Sequence, residues 1–262
     1  MNFPAFENNF LSEIILKIQF QNISEENYYS NFKEFKNLMN KEFSLLTEYK
    51  SKEFKFTSIN NEEPTVPSKL GLKRWVFRDN NKKLLTLNHD EIILQYNGEF
   101  YHSFENDIAP ILELILNGLD IFNVENFNEI GMRYINQIKN VSLNLNEILA
   151  DDYHFNFNIK NNIRIMNKVE FNEDDFLIIF NFGDFNDNYP STIIKNNYIL
   201  DYDCIFNQPI THNHLENKIN SMHDKIKYYF DKTTSNMFKE KLGDVDEFIK
   251  HNYFRGRMFS SN

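Results

Sequence analysis

The sequence predicts an α+β protein built from duplicated β-α-β-β-β-β-α units, with antiparallel sheets whose helices pack on one face. Three patterns predict it. In mid-chain, Ile130, Met132, Tyr134 and Ile138 alternate with Gly131, Arg133, Ile135 and Gln137, the period of two that belongs to a strand with distinct faces. Ile108, Ile111, Leu112, Ile115, Leu119 and Phe122 recur at spacings of three and four, as do Leu215, Ile219, Met222, Ile226, Tyr229 and Thr233. Each set makes the apolar stripe of an amphipathic helix. Finally, strand, helix, four strands, helix describes the chain from about Ile14 to Phe122 and again from Ile130 to about Lys241. The expected division is 1–124, 125–243 and a tail, 244–262.

Taken in order, Ile14, Leu16, Ile18 and Phe20 predict a first strand with Glu13, Lys17 and Gln19 on its second face. Ser24 can cap a helix carrying Tyr28, Phe32, Phe35 and Met39, with Glu25 and Glu26 at the positive end of its dipole. Phe54 and Phe56 mark a second strand, and residues 60–68, with Pro64 and Pro67, a loop. Three strands follow, Leu72–Phe77, Leu84–Leu87 and Ile92–Tyr96. They are joined by Asp79-Asn80-Asn81 and Asn88-His89-Asp90, whose residues tolerate tight turns. Trp75, in the first of these strands, belongs to the core or the sheet surface rather than to a ligand platform. Ser103 or Asp107 starts the next helix, with Pro110 in its first turns. Beyond the central strand, Leu143, Leu145, Ile148 and Leu149 predict a short helix. Four strands then run through Phe155 and Phe157, Ile163–Val169, Phe176–Phe182 and Ile193–Tyr202, broken before the last by 186–190. Thr211 or Asn213 caps the closing helix.

Composition narrows the function. A formal net charge of −10 disfavours a general nucleic-acid binder, because neutralising phosphates with Lys and Arg supplies most non-specific affinity. The single cysteine, Cys204, rules out an intramolecular disulfide and a multi-thiolate zinc site, and suits a reducing cytosol. No segment has the run of apolar residues that a membrane span or signal peptide needs, so a cytoplasmic protein without membrane attachment is expected. Phosphate-binding glycine motifs and a G-x-S-x-G elbow are absent. No catalytic residue, cofactor or metal is therefore assigned. His212 and His214, near Asp201, Asp203, Cys204 and His223 in sequence, form the one cluster with metal-ligand chemistry, but two His at that spacing near a helix start diverge.

The candidate binding residues are Arg133, Tyr134, Asn136, His223, Arg255 and Arg257. Asn136 falls on the apolar face of the central strand, where a buried amide must find backbone partners. Arg133 stands on the opposite face beside Gly131, which leaves room for an approaching group. His223 lies beside the core stripe of the closing helix, within reach of Asp224 or a strand side chain. The tail Lys250-His251-Asn252-Tyr253-Phe254-Arg255-Gly256-Arg257-Met258-Phe259 joins arginine to aromatics, the composition of interface anchors, and can dock on a partner or on the acidic body.

Gly131-Met132-Arg133-Tyr134-Ile135-Asn136, with Glu13-Ile14, Tyr198-Ile199-Leu200-Asp201 and Met222-His223-Asp224, resembles the sporadically distributed bacterial family known as TIGR04255, whose members share a G-x-R-Y-x-N strand and a closing helix with an Ala-His-Asp-like step. The resemblance covers about Phe3 to Gly243. It departs in the Asn-rich early segment and in the tail. It implies no established catalysis. Its sporadic distribution implies a non-catalytic partner or regulator of a toxin or defence effector, so another protein is the expected partner. By element order the halves also resemble the duplicated fold of TATA-box-binding proteins, which implies as the alternative a nucleic-acid- or nucleotide-related protein or enzyme using a curved sheet.

Overall fold

The computed structural model describes residues 10–54, 68–80, 82–139, 143–154, 164–185 and 197–242. Among them, β1 (Leu11–Phe20), β2 (Leu45–Phe54), β3 (Ser68–Asp79), β4 (Lys83–Leu87), β5 (Glu91–Asn97), β6 (Asn126–Ile138), β7 (Arg164–Glu173), β8 (Phe176–Phe185) and β9 (Asn197–Phe206) form one antiparallel sheet. Its order is β2-β3-β4-β5-β1-β6-β9-β8-β7, and short β10 (Ile210–Thr211) pairs with β6. The protein is thus an α+β chain with a large antiparallel sheet.

Burial alternates along the strands as the sequence pattern requires. Ile14, Leu16 and Ile18 of β1 and Ile130, Met132 and Tyr134 of β6 turn to a first face and are buried. The helices gather on that face: α1 (Glu25–Ser30), α2 (Phe32–Met39), α3 (Ala109–Ile121), α4 (Leu145–Ile148), α5 (His212–Thr233) and α6 (Asn236–Leu242). Tyr28 and Phe32 stack on Trp75, with ring centroids 4.0 and 3.6 Å away, and Trp75 is a core residue. Phe230 meets Tyr202 at 5.9 Å, and Tyr229 meets Phe171 at 5.1 Å. The buried residues of α5 include the whole predicted stripe from Leu215 to Thr233, with His223 added.

Several elements differ from the sequence reading. The helix after Ser24 is two helices. Ser24 does cap it, accepting from the Asn27 N–H at 3.3 Å, but the chain breaks at Asn31. There the Asn31 side-chain amide donates to the Asn27 side chain, and Asn27 donates to the Phe122 carbonyl at 2.8 Å, which ties the break to the end of α3. β2 begins at Leu45, well before Phe54, because its exposed Leu45, Thr47, Glu48 and Tyr49 give no alternation to read at a sheet edge. Phe56, residues 60–67, Phe155, Phe157 and 186–190 lie outside the described residues.

Ser103 starts the third helix by accepting from the Asn106 N–H at 3.1 Å, while Asp107 gathers the Tyr96 hydroxyl at 2.6 Å and the His102 N–H at 2.6 Å. The first turn, Phe104–Ile108, is a π-helix, and Pro110 sits at the start of the α-helix that follows. Thr211 occupies the capping position of α5 without making a side-chain bond. Asn80 and Asp174 take positive φ in the β3–β4 and β7–β8 turns.

Gly98, just after β5, is a point of close approach to β1: a Cβ there would lie 2.0 Å from the Leu11 carbonyl oxygen. Gly98→Ala should therefore lower unfolding stability by about 1–3 kcal/mol through forced backbone displacement. A urea titration should read this as a lower midpoint with an unchanged slope.

Candidate functional site on the central strand

β6 runs beside β1 on one edge and β9 on the other, so its side chains reach both layers of the molecule. On the second face, Arg133 extends a planar fork to Asp201. Nε donates to Oδ1 and Nη2 to Oδ2, both at 2.7 Å. The register sets Arg133 opposite Asp203 and Ile135 opposite Asp201, so the fork reaches diagonally. Asn181 of β8, directly across from Asp201, donates to the same carboxylate at 3.1 Å. Asp201 is 3% exposed, and its charge is held by a bidentate partner and a neutral donor. Asp203, across from Arg133 but not gripped by it, has its carboxyl pushed up from 3.8 to about 6: burial dominates, and the attraction of Arg133 only partly offsets it.

The same face carries further lateral pairs. Lys17 lies 3.1 Å from Glu129 and 3.9 Å from Glu91, and Gln95 donates to Glu13 at 2.9 Å. Between them stand half-exposed Ile15, Ile93, Ile135, Ile179 and Ile205. On β5, β1, β6 and β9 this face presents Glu13, Glu91, Glu129, Asp201 and Asp203 against Lys17 and Arg133, a local excess of negative charge. A Cβ at Gly131 would come no nearer than 4.0 Å to its closest neighbour, Lys17, so the surface is open there as expected. Among the described residues this face carries no helix.

On the helix-covered face, the Tyr134 hydroxyl lies 2.8 Å from His223 Nδ1, and Phe104 stacks on the imidazole at 4.5 Å. Burial first, then Lys227, pushes His223 down from 6.5 to about 3, while burial holds Tyr134 well above its ordinary value. The imidazole is neutral and the phenol keeps its proton, and the two share one hydrogen bond. The pair fastens β6 to α5, and neither group is poised to exchange a proton near neutrality. Asn136 donates to the Leu200 carbonyl at 3.2 Å, the backbone partner its burial demands.

Of the residues singled out in the sequence, Arg133 reaches the open face, whereas Tyr134, Asn136 and His223 are buried on the other. Arg255 and Arg257 lie outside the described residues. His212 pairs with Asp120 at 3.2 Å while His214 is exposed, and no three His, Cys, Asp or Glu side chains converge among the described residues. Cys204 is buried, its thiol pushed up to about 12. Asp201, Asn181 and Asp203 were not singled out for the face they share. The signal for them was the alternation of Asp201 and Asp203 with Leu200, Tyr202 and Cys204. No described helix is long and apolar enough to cross a membrane.

Among the described residues, the geometry defines an α+β protein with one sheet face roofed by helices and the other without a helix and with an excess of carboxylates on its central strands. No protein-family model matches the chain, and no curated protein matches it.

Asn136→Ala should cost about 1–3 kcal/mol by stranding the Leu200 carbonyl. Arg133→Ala should cost about 2–4 kcal/mol, because it strands a buried carboxylate while removing a half-exposed cation. Adding Asp201→Asn to Arg133→Ala should recover part of that loss in a denaturant-based double-mutant cycle.

Acidity should separate buried His223 from half-buried Asp203. The folded chain resists protonating His223, so this residue withdraws stability as pH falls below about 6.5, by roughly 1 kcal/mol per pH unit. Asp203 acts in the opposite sense. The folded chain holds a proton that the unfolded chain releases, so stability falls as pH rises through the window from 3.8 to about 6. Melts between pH 4 and 7 should show His223→Gln flattening the first dependence and Asp203→Asn the second.

Proposed function

We propose that the chain is a non-catalytic binding protein that holds another protein on the open face of its sheet. One observation carries this: partly buried isoleucines interleave there with charges of which several are paired laterally, and carboxylates outnumber cations on the central strands. Such a surface offers apolar area to a partner without a large desolvation cost, and favours one that is basic. Phosphate backbones would be repelled, which weighs against the nucleic-acid reading.

The duplicated unit belongs to the same proposal. Strand order runs 1-5-4-3-2 on one side of the β1–β6 seam and 6-9-8-7 on the other, so β5, β4 and β3 correspond to β9, β8 and β7. α3 and α5 close the two units. The strand expected at Phe155 and Phe157 lies outside the described residues. Support for the bacterial family resemblance comes from the motif itself. Arg133 grips Asp201, Tyr134 meets His223 and Asn136 bonds Leu200, so the quoted stretches are partners of one another. A neighbouring gene product, a toxin or defence effector, is the first partner to test.

Coexpression with that product should yield a stable complex in size-exclusion chromatography. Glu129→Lys on the open face should weaken it about tenfold or more, with the melting temperature nearly unchanged. Nucleic acid carried through purification and retained or increased with Glu129→Lys, in place of a protein complex, would overturn the reading.

A further inference from the structure

The Arg133–Asp201 pair has an unfilled counterpart on the same two strands. Arg133 lies opposite Asp203 but reaches past it, two residues along β9, to Asp201. Gly131 lies opposite Ile205, and the same diagonal step from there ends at Asp203. Glycine has no side chain to make it. A Cβ at that position would come no nearer than 4.0 Å to Lys17, so a group entering from outside has room.

Asp203 is left short of partners. It is half-buried on the open face, yet no described side chain pairs with it by hydrogen bond or ion contact. Ile179 stands across from it on β8, the place that the donor Asn181 takes beside Asp201. Burial raises its carboxyl to about 6, Asp201 and Glu129 add to the rise, and Arg133 and Lys168 offset it only in part. A carboxylate in this position gains from an added cation. Guanidinium suits it better than ammonium, because its planar fork makes two parallel bonds to one carboxylate and it sheds water more readily.

We propose that the notch over Gly131 receives an arginine side chain from the partner protein, its guanidinium donating to Asp203 as Arg133 donates to Asp201, with the stem against Ile205. The partner contact rests on the open face being the binding surface, whereas the capacity of the notch for a guanidinium does not.

The test uses the full chain, isotope-labelled at isoleucine methyls and aspartate carboxyls, titrated with N-acetyl-arginine amide and, as controls, with the lysine and citrulline amides. Arginine amide should move the Ile179 and Ile205 methyl signals along a saturating curve and lower the pH at which the Asp203 carboxyl titrates by about one pH unit or more. Citrulline amide, which keeps the shape without the charge, should do neither, and lysine amide should bind about threefold or more weakly. Asp203→Asn should abolish the methyl shifts. Gly131→Arg should fill the notch from within, lowering the Asp203 titration without added amide and blocking the response to it. Shifts that survive Asp203→Asn, that lysine amide causes equally, or that spread evenly over the open face would overturn the proposal, as would no shift at all. The probe is a small molecule, so failure of the coexpression complex leaves this outcome separate. A complex whose affinity ignores both Asp203→Asn and Gly131→Arg would overturn the partner contact and leave the open face as the docking surface.

Discussion

The antiparallel pairing of β1 with β6 is the constraint on which the rest of the sheet depends. Through this seam the strands of residues up to Asn97 meet those from Asn126 onward, from Glu13 opposite Ile135 to Gln19 opposite Glu129. A slip of β1 by one residue against β6 would turn Lys17 into the core and Ile18 into solvent. Irregularities at both ends of the ladder mark the limits of the regular register. Ser12 adds a side-chain bond to the Ile135 carbonyl at 2.9 Å, across the same seam.

Once the seam is set, the two faces face different demands. The covered face pairs several of the polar groups it buries across layers or strands, while the buried Trp75 indole N–H has no hydrogen-bond partner among the described residues. Tyr134 reaches His223 in α5, Tyr202 shares a 2.6 Å bond with Thr233, and Asn136 answers a carbonyl of β9. The open face lacks a helical roof among the described residues and spends its charges laterally. The Arg133 fork on Asp201, supported by Asn181, is the most deeply seated of these pairs. Pairing of this kind fixes side chains in place.

Much of this was legible because it depends on local periodicity. The alternation in β6, the stripe of α5, the cap at Ser103 and the burial of Asn136 all follow from repeats of two or of three and four, and these report which side of an element faces the core. Where periodicity is weak, the reading failed. β2 lies at an edge with polar residues on show, and the break at Asn31 depends on an amide of Asn27 reaching the distant Phe122 carbonyl.

The sequence by itself determined that Arg133 and Asn136 would leave β6 on opposite sides and that His223 would lie beside the core stripe, since a single element's geometry settles each. Only the tertiary structure decided their partners. Asp201 is 68 residues from Arg133 and His223 is 89 from Tyr134. Which strand lies beside β6, and in what register, is a property of the assembled sheet, where loop-closure entropy, burial and ladder hydrogen bonds are settled together rather than along the chain.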